Sequence, residues 1–236
     1  HRQGWCYFNM GDYQKSLRTF IRVILHAQSE KGKLLPFRDE LEREARQDSV
    51  RAYAVVGSPE QSLKFFARIA PGIKFLLAES LANMYFTEGD WDKSITVYRL
   101  LLKHWKDSPN RAKYLLGIAE NGYHVGDKKM LVDSVRQVMK DFRSMTADLD
   151  ARALKSVNER LEGLVKTAAT VYHKEAEKYG HKDTIQHTTY LYEAYLALFP
   201  NAQDAYEVTW NLGVLNEDIG NWEEAAEIYE KVIKMN

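Results

Sequence analysis

Three stretches of the chain repeat one outline: GDYQKSLRTFIRVI from Gly11, GDWDKSITVYRLLL from Gly89 and GNWEEAAEIYEKVI from Gly220. Each opens with glycine, a short polar residue and an aromatic, and then spaces apolar or small residues by three and four. These are Tyr13, Ser16, Phe20 and Val23; Trp91, Ser94, Tyr98 and Leu101; Trp222, Ala225, Tyr229 and Val232. Such steps run along one face of an α-helix, whereas a strand would need alternation. The leading glycine can end the preceding helix in the left-handed conformation, and the Asp, Ser or Asn after it can cap the next helix. The same punctuation stands at Gly57-Ser58-Pro59 and Gly126-Asp127-Lys128. In Ser58-Pro59-Glu60-Gln61 a capping serine, a proline preset for the first helical position and a glutamine three residues on coincide, and Asn221 with Glu224 has the related geometry.

Small and aromatic residues also recur before the glycine, as Gly4 and Tyr7, then Ala82 and Tyr85. The unit is therefore a helical hairpin in which a small residue lets two backbones approach, and the fold class is all-α. The spacing of the turns is irregular. The interval from Gly126 to Gly220 must hold a further unit, which TVYHKEAEKYGHKDTIQHTTYLYEAYLALFPNA supplies with GHKD as its turn. About six hairpins result, the first truncated and the second irregular. QSEKGKLLPF, from Gln28 to Phe37, reads as a long surface loop. Apolar spacing through Leu154, Val157, Leu161, Leu164, Ala168, Tyr172 and Tyr179 predicts one long helix near 148–179, about 48 Å at the usual helical rise.

The pattern of Gly, Asp or Asn, aromatic, small, aromatic resembles the second half of a tetratricopeptide repeat, a unit of about 34 residues. Leu81, Ala82 and Tyr85 before Gly89, and Leu212 and Gly213 before Gly220, resemble the first half, and Pro109 and Pro200 stand where that family places a proline. The resemblance implies a right-handed superhelical solenoid, with hairpins in 1–143 and the long helix plus the last hairpins in 144–236. It also implies a concave groove lined by Gln47, Arg51, Glu79, Asn83, Phe86, Leu116, Glu120, Tyr123, Trp210, Val214 and Glu217. One subgroup clamps acidic chaperone tails with lysine, asparagine and arginine. Asn83 sits at a clamp-like position, but Glu79 and Gly117 replace the required residues, so that specialisation is excluded. The segment from Tyr190 to Ile233 is similar to repeats of bacterial envelope proteins, of the outer-membrane assembly lipoprotein and Tol-Pal partner types. That likeness implies a periplasmic, outer-membrane-associated setting, with a cytoplasmic one as the alternative.

Thirty-three basic side chains balance thirty-three acidic ones, which gives no field to draw nucleic acid or an anionic surface, so no nucleic-acid partner is expected. No apolar run approaches the roughly 20 residues of a spanning helix. Cys6, the only cysteine, reads as a small buried hydrophobe. The opening HRQGWCYFNMGDY reads as the interior of a helix, so a longer parent chain is expected, and any export signal or lipid anchor would lie upstream of His1. His173 and Glu177 lie four apart on a helix, with His181 and His187 following, but the second histidine of a zinc-protease helix is missing. A solvated helix edge, with no metal and no cofactor, is the expectation. Glycines never form a phosphate loop, and most of the tyrosines fall at packing offsets.

These features predict a noncatalytic scaffold that binds a peptide, helix or protein domain within a multiprotein complex. The alternative is the substrate-receptor region of a larger enzyme or sensor. Because EEAAEIYEKVIKMN keeps an apolar face with no capping helix after it, the expectation is that either the natural chain continues past Asn236 or this helix docks on something, self-association being one form of that.

Overall fold

The computed structural model describes residues 1–34 and 36–235, and of Lys33 the backbone alone. Among the described residues the regular structure is helical, twelve α-helices with three short 3-10 turns, and the chain divides into two compact units, His1–Ser108 and Pro109–Asn236. The first unit holds α1 (Arg2–Asn9), α2 (Tyr13–Gln28), α3 (Arg38–Val56), α4 (Ser62–Ile69), α5 (Lys74–Thr87) and α6 (Trp91–His104). The second holds α7 (Arg111–Val125), α8 (Lys128–Thr146), α9 (Ala151–Tyr179), α10 (Lys182–Leu198), α11 (Ala205–Asp218) and α12 (Trp222–Lys234). This division falls earlier than the expected 143/144, because α8 packs against both α7 and α10 and so shares one core with the helices after it.

Four turns share one hydrogen-bond pattern, which explains the sequence echo. Gly11, Gly89, Gly126 and Gly220 have φ of 77°, 80°, 75° and 78°. In each turn the residue after glycine donates its amide to a carbonyl five residues back: Asp12 to Tyr7, Asp90 to Tyr85, Asp127 to Gly122 and Asn221 to Asn216, at 2.8–2.9 Å. This is the Schellman closure of a helix, and only glycine takes its left-handed position without steric cost. The next helix then starts at once. Asp12 and Asp127 accept from the amides of Lys15 (3.1 Å) and Met130 (2.8 Å), the capping that the sequence predicts. Asp90 instead holds Lys93 at 2.7 Å, and the Asn221 side chain caps no amide.

Gly57 departs from this pattern. Its φ is −90°, so it is not a left-handed stop, and Ser58 caps no amide but donates to Glu60 Oε2 at 2.5 Å. What requires glycine there is proximity: a Cβ would lie 2.5 Å from the Tyr53 ring. The second hairpin is correspondingly irregular, with a 3-10 turn at Pro59–Gln61 before the eight-residue α4. Its predicted loop is present between α2 and α3, with Leu35 outside the described residues.

Small residues let the paired helices close. A Cβ at Gly4 would meet the Phe20 ring at 2.5 Å, and one at Gly213 would meet the Tyr229 ring at 2.7 Å. Between them in sequence, Ser94 Oγ donates to the Ala82 carbonyl at 2.9 Å across α5 and α6. Phe20, Ile24, Phe66, Leu81, Tyr85 and Leu101 are buried in the first unit, and Tyr114, Leu131, Leu161, Val165, Tyr192 and Tyr195 in the second. Cys6 is exposed, contrary to expectation, because α1 turns Gly4 and not Cys6 toward α2. Trp222 also stays outside the packing at 67% exposure.

The long helix is present as α9, 29 residues or about 43 Å. Asp150 caps it by accepting from the Ala153 amide at 2.7 Å, and Gly180, with φ of 64°, ends it. Val157, Leu161, Val165, Ala168, Tyr172 and Ala176 form its buried stripe, which packs mainly on α10 and also reaches α7 and α11.

Candidate functional site

The residues expected to line a groove fall into separate environments. In the first unit Gln47 and Arg51 are exposed on α3. Arg51 lies over the Trp5 ring, 5.6 Å from its centroid, and Trp5 Nε1 donates to Asp48 Oδ2 at 2.8 Å. Burial pushes the Asp48 carboxyl above its usual range, against the Trp5 hydrogen bond and the Arg51 charge. On α5, Glu79 and Phe86 are half-buried and Asn83 is exposed, its side-chain carbonyl accepting from Tyr98 Oη at 2.6 Å. The steps of four and three place Glu79, Asn83 and Phe86 along one side of α5.

In the second unit the long helix intervenes. Leu116, expected in the groove, is 1% exposed and belongs to the core. Arg160 of α9 clamps Glu120, with Nε on Oε1 at 2.9 Å and Nη2 on Oε2 at 2.5 Å. Tyr123 is half-buried, edge-on to His124. The physical reason is that α9 packs on α7. The last hairpin is different: on α11 Tyr206 and Trp210 are 40% and 48% exposed, Val214 is half-buried and Glu217 is exposed. The Trp210 ring leans on Tyr229, 5.3 Å between centroids, and Tyr229 Oη donates to Glu217 Oε2 at 2.8 Å. Burial, with Glu217 beside it, pushes the Tyr229 hydroxyl up to about 12, so it remains a donor at neutral pH.

The histidines also divide. His181 stacks on Tyr179 at the surface, as a solvated edge should. His173 does not: it is 6% exposed, and its Nδ1 lies 3.0 Å from Tyr192 Oη. Burial lowers its pKa, against the opposing pull of Glu177 and Asp218. The spacing of His173 and Glu177 is legible in sequence, but Asp218 reaches them only through the packing of α11 near the end of α9.

Family models described as tetratricopeptide repeat match residues 1–26 and residues 191–236. No curated protein matches the chain. Among solved structures, BtubC (BKLC) from P. vanneervenii is similar at 16% identity, over 94% of this chain and 90% of that one, with a TM-score of 0.42. A candidate kinesin light chain of Podosopora anserina with nearly identical TPR-like repeats gives 15% identity, 99% and 92% coverage and a TM-score of 0.31. The first match spans α1 and most of α2, and the second the end of α10 with α11 and α12. The first and the last hairpin of the chain thus match the tetratricopeptide repeat.

Proposed function

We propose that the chain is a noncatalytic scaffold that holds a protein partner within a multiprotein complex. Tetratricopeptide repeats generally mediate protein–protein interaction. The observation that carries the proposal is the side of α11 bearing Tyr206, Trp210 and Val214. There two aromatics remain 40% and 48% exposed on a helix whose other side is committed to packing. Large exposed aromatics in a row four residues apart are the anchors that protein interfaces use, and Trp is the strongest of them. Trp210 is also backed by the Tyr229 ring, so little side-chain freedom is left to lose on binding.

Affinity capture with the intact chain and with Trp210→Ala tests this. Loss of such an anchor costs about 2 kcal/mol, so a partner held by the intact chain should be recovered roughly thirtyfold less by the variant. Capture of no protein, with a small metabolite copurifying stoichiometrically, would contradict the proposal. The setting belongs to the same proposal: the likeness of the Tyr190–Ile233 segment to envelope repeats supports an envelope-associated complex. Cell fractionation should then place the chain with the periplasm or membranes, and a purely cytoplasmic pool would remove this part alone.

A further inference from the structure

The last two turns of α9 and the end of α11 bring together three groups that nothing in the repeat explains. His173 is 94% buried by its 6% exposure, yet its Nε2 has no hydrogen-bond partner. That nitrogen faces Glu177 Oε1 at 3.6 Å and Asp218 Oδ2 at 3.9 Å, and all three donor atoms lie within 4.8 Å of one another. Both separations exceed a hydrogen bond. They are close to what a tetrahedral ion needs: metal bonds of about 2.0–2.2 Å put neighbouring donors about 3.3–3.5 Å apart. Only the carboxylates must move to reach it, by a few tenths of an ångström toward Nε2 and by up to about 1.5 Å toward each other, and they are free to do so at 49% and 46% exposure.

We propose that His173, Glu177 and Asp218 bind one divalent transition-metal ion with the coordination preference of zinc, fastening the end of α9 to the end of α11. Three features beyond the cluster support it. First, the buried imidazole is oriented from behind. Nδ1 lies 3.0 Å from Tyr192 Oη, and in the tautomer that carries its proton on Nδ1, the one metal binding selects, the Nε2 lone pair is directed at the carboxylates, as in metal sites whose histidines are held by an outer hydrogen bond. Second, α9 ends at Tyr179 and α11 at Asp218, so two helix C-termini, each the negative end of its dipole, converge on the site. Third, the carboxylates open onto a cleft of about 690 Å³ lined also by Ala176, Gly180, Ile185 and Leu215, which leaves a coordination position for water or a ligand. Two carboxylates balance the ion's charge. The imidazole favours zinc-like ions over Ca²⁺ and Mg²⁺, which require a shell of oxygens.

The test is titration of the full chain with Zn²⁺, followed by calorimetry and by long-range ¹H–¹⁵N spectra of the histidine rings, with Ca²⁺ and Mg²⁺ as comparators. One Zn²⁺ per chain should shift the His173 Nε2 resonance and raise the melting temperature by roughly 5–10 °C at a hundredfold excess over Kd. Glu177→Gln and Asp218→Asn, both at exposed positions, should each weaken binding at least tenfold without changing the fold. Tyr192→Phe should weaken it by about tenfold through the lost orienting bond. His173→Asn, which retains a polar atom toward Tyr192, should abolish it. His181→Ala should leave binding unchanged. Absence of saturable Zn²⁺ binding, affinity unchanged in the two carboxylate variants, or binding that follows His181 would each overturn the assignment.

Discussion

Phe20→Ala is expected to destabilise the first unit by about 3–5 kcal/mol. Phe20 is fully buried, and its ring lies against Gly4, 5.6 Å from the His1 ring and 6.1 Å from that of Trp5. Truncation removes the transfer energy of the ring and leaves a cavity that helices fixed at the Gly11 turn cannot fully close. Since domains of this size hold only about 5–15 kcal/mol in total, most of the unit's margin would go. Urea denaturation followed by Trp5 fluorescence, which senses the neighbouring ring, reads the effect. A second substitution makes the result diagnostic. Gly4→Ala alone should destabilise, because its methyl meets the ring at 2.5 Å. In the Phe20→Ala background the same change should become favourable by up to about 1 kcal/mol, the helix preference of alanine over glycine. Equal effects of Gly4→Ala in the two backgrounds would show that the two residues do not touch.

The larger effect is expected in the second unit. Val165→Asp should cost about 4 kcal/mol or more and abolish cooperative unfolding of the helices around α9. Val165 is fully buried in the middle of the α9 stripe, between Leu161 and Ala168. A carboxylate there is stripped of water with no partner, which raises its pKa above the ordinary range. The sign of the pH dependence follows: protonation relieves the burden, so the variant recovers stability as pH falls through the raised value and loses it as pH rises. Thr167→Asp, two residues on at an exposed position, should change stability by no more than about 0.5 kcal/mol. Thermal melts followed by far-UV circular dichroism distinguish the two. Similar losses from both variants would mean that α9 is not packed along one stripe.

What the sequence reveals and what it conceals follow from the range of the forces involved. The left-handed stops at Gly11, Gly89, Gly126 and Gly220 are local, set by one residue and its next neighbour, and they are legible. So is the length of α9, because its apolar period continues past Gly163 without a capping pair. Gly57 misleads because glycine serves two purposes: at φ −90° it makes room for the Tyr53 ring, and no local signal separates that from a stop. Leu116 misleads for a longer-range reason. A standard repeat would leave that side of α7 open, but α9 packs on it and Arg160 holds Glu120. The burial of His173 is likewise a tertiary fact, since the same helix edge would be solvated without Tyr192 of α10 against it. Cys6 shows the converse: a residue type that is usually buried lies on the uncovered side of α1.

The central claim is that each echoed stretch is the second helix of a hairpin whose first helix gives it a small residue to pack on. Nuclear Overhauser contacts test this most directly, from the Gly4 α-protons to the Phe20 ring and from the Gly213 α-protons to the Tyr229 ring. Both cross-peaks should be strong, since a Cβ at either glycine would lie within 2.7 Å of the facing ring. Absence of both, with all four residues assigned, would contradict the helical pairing on which the fold and the proposed function rest.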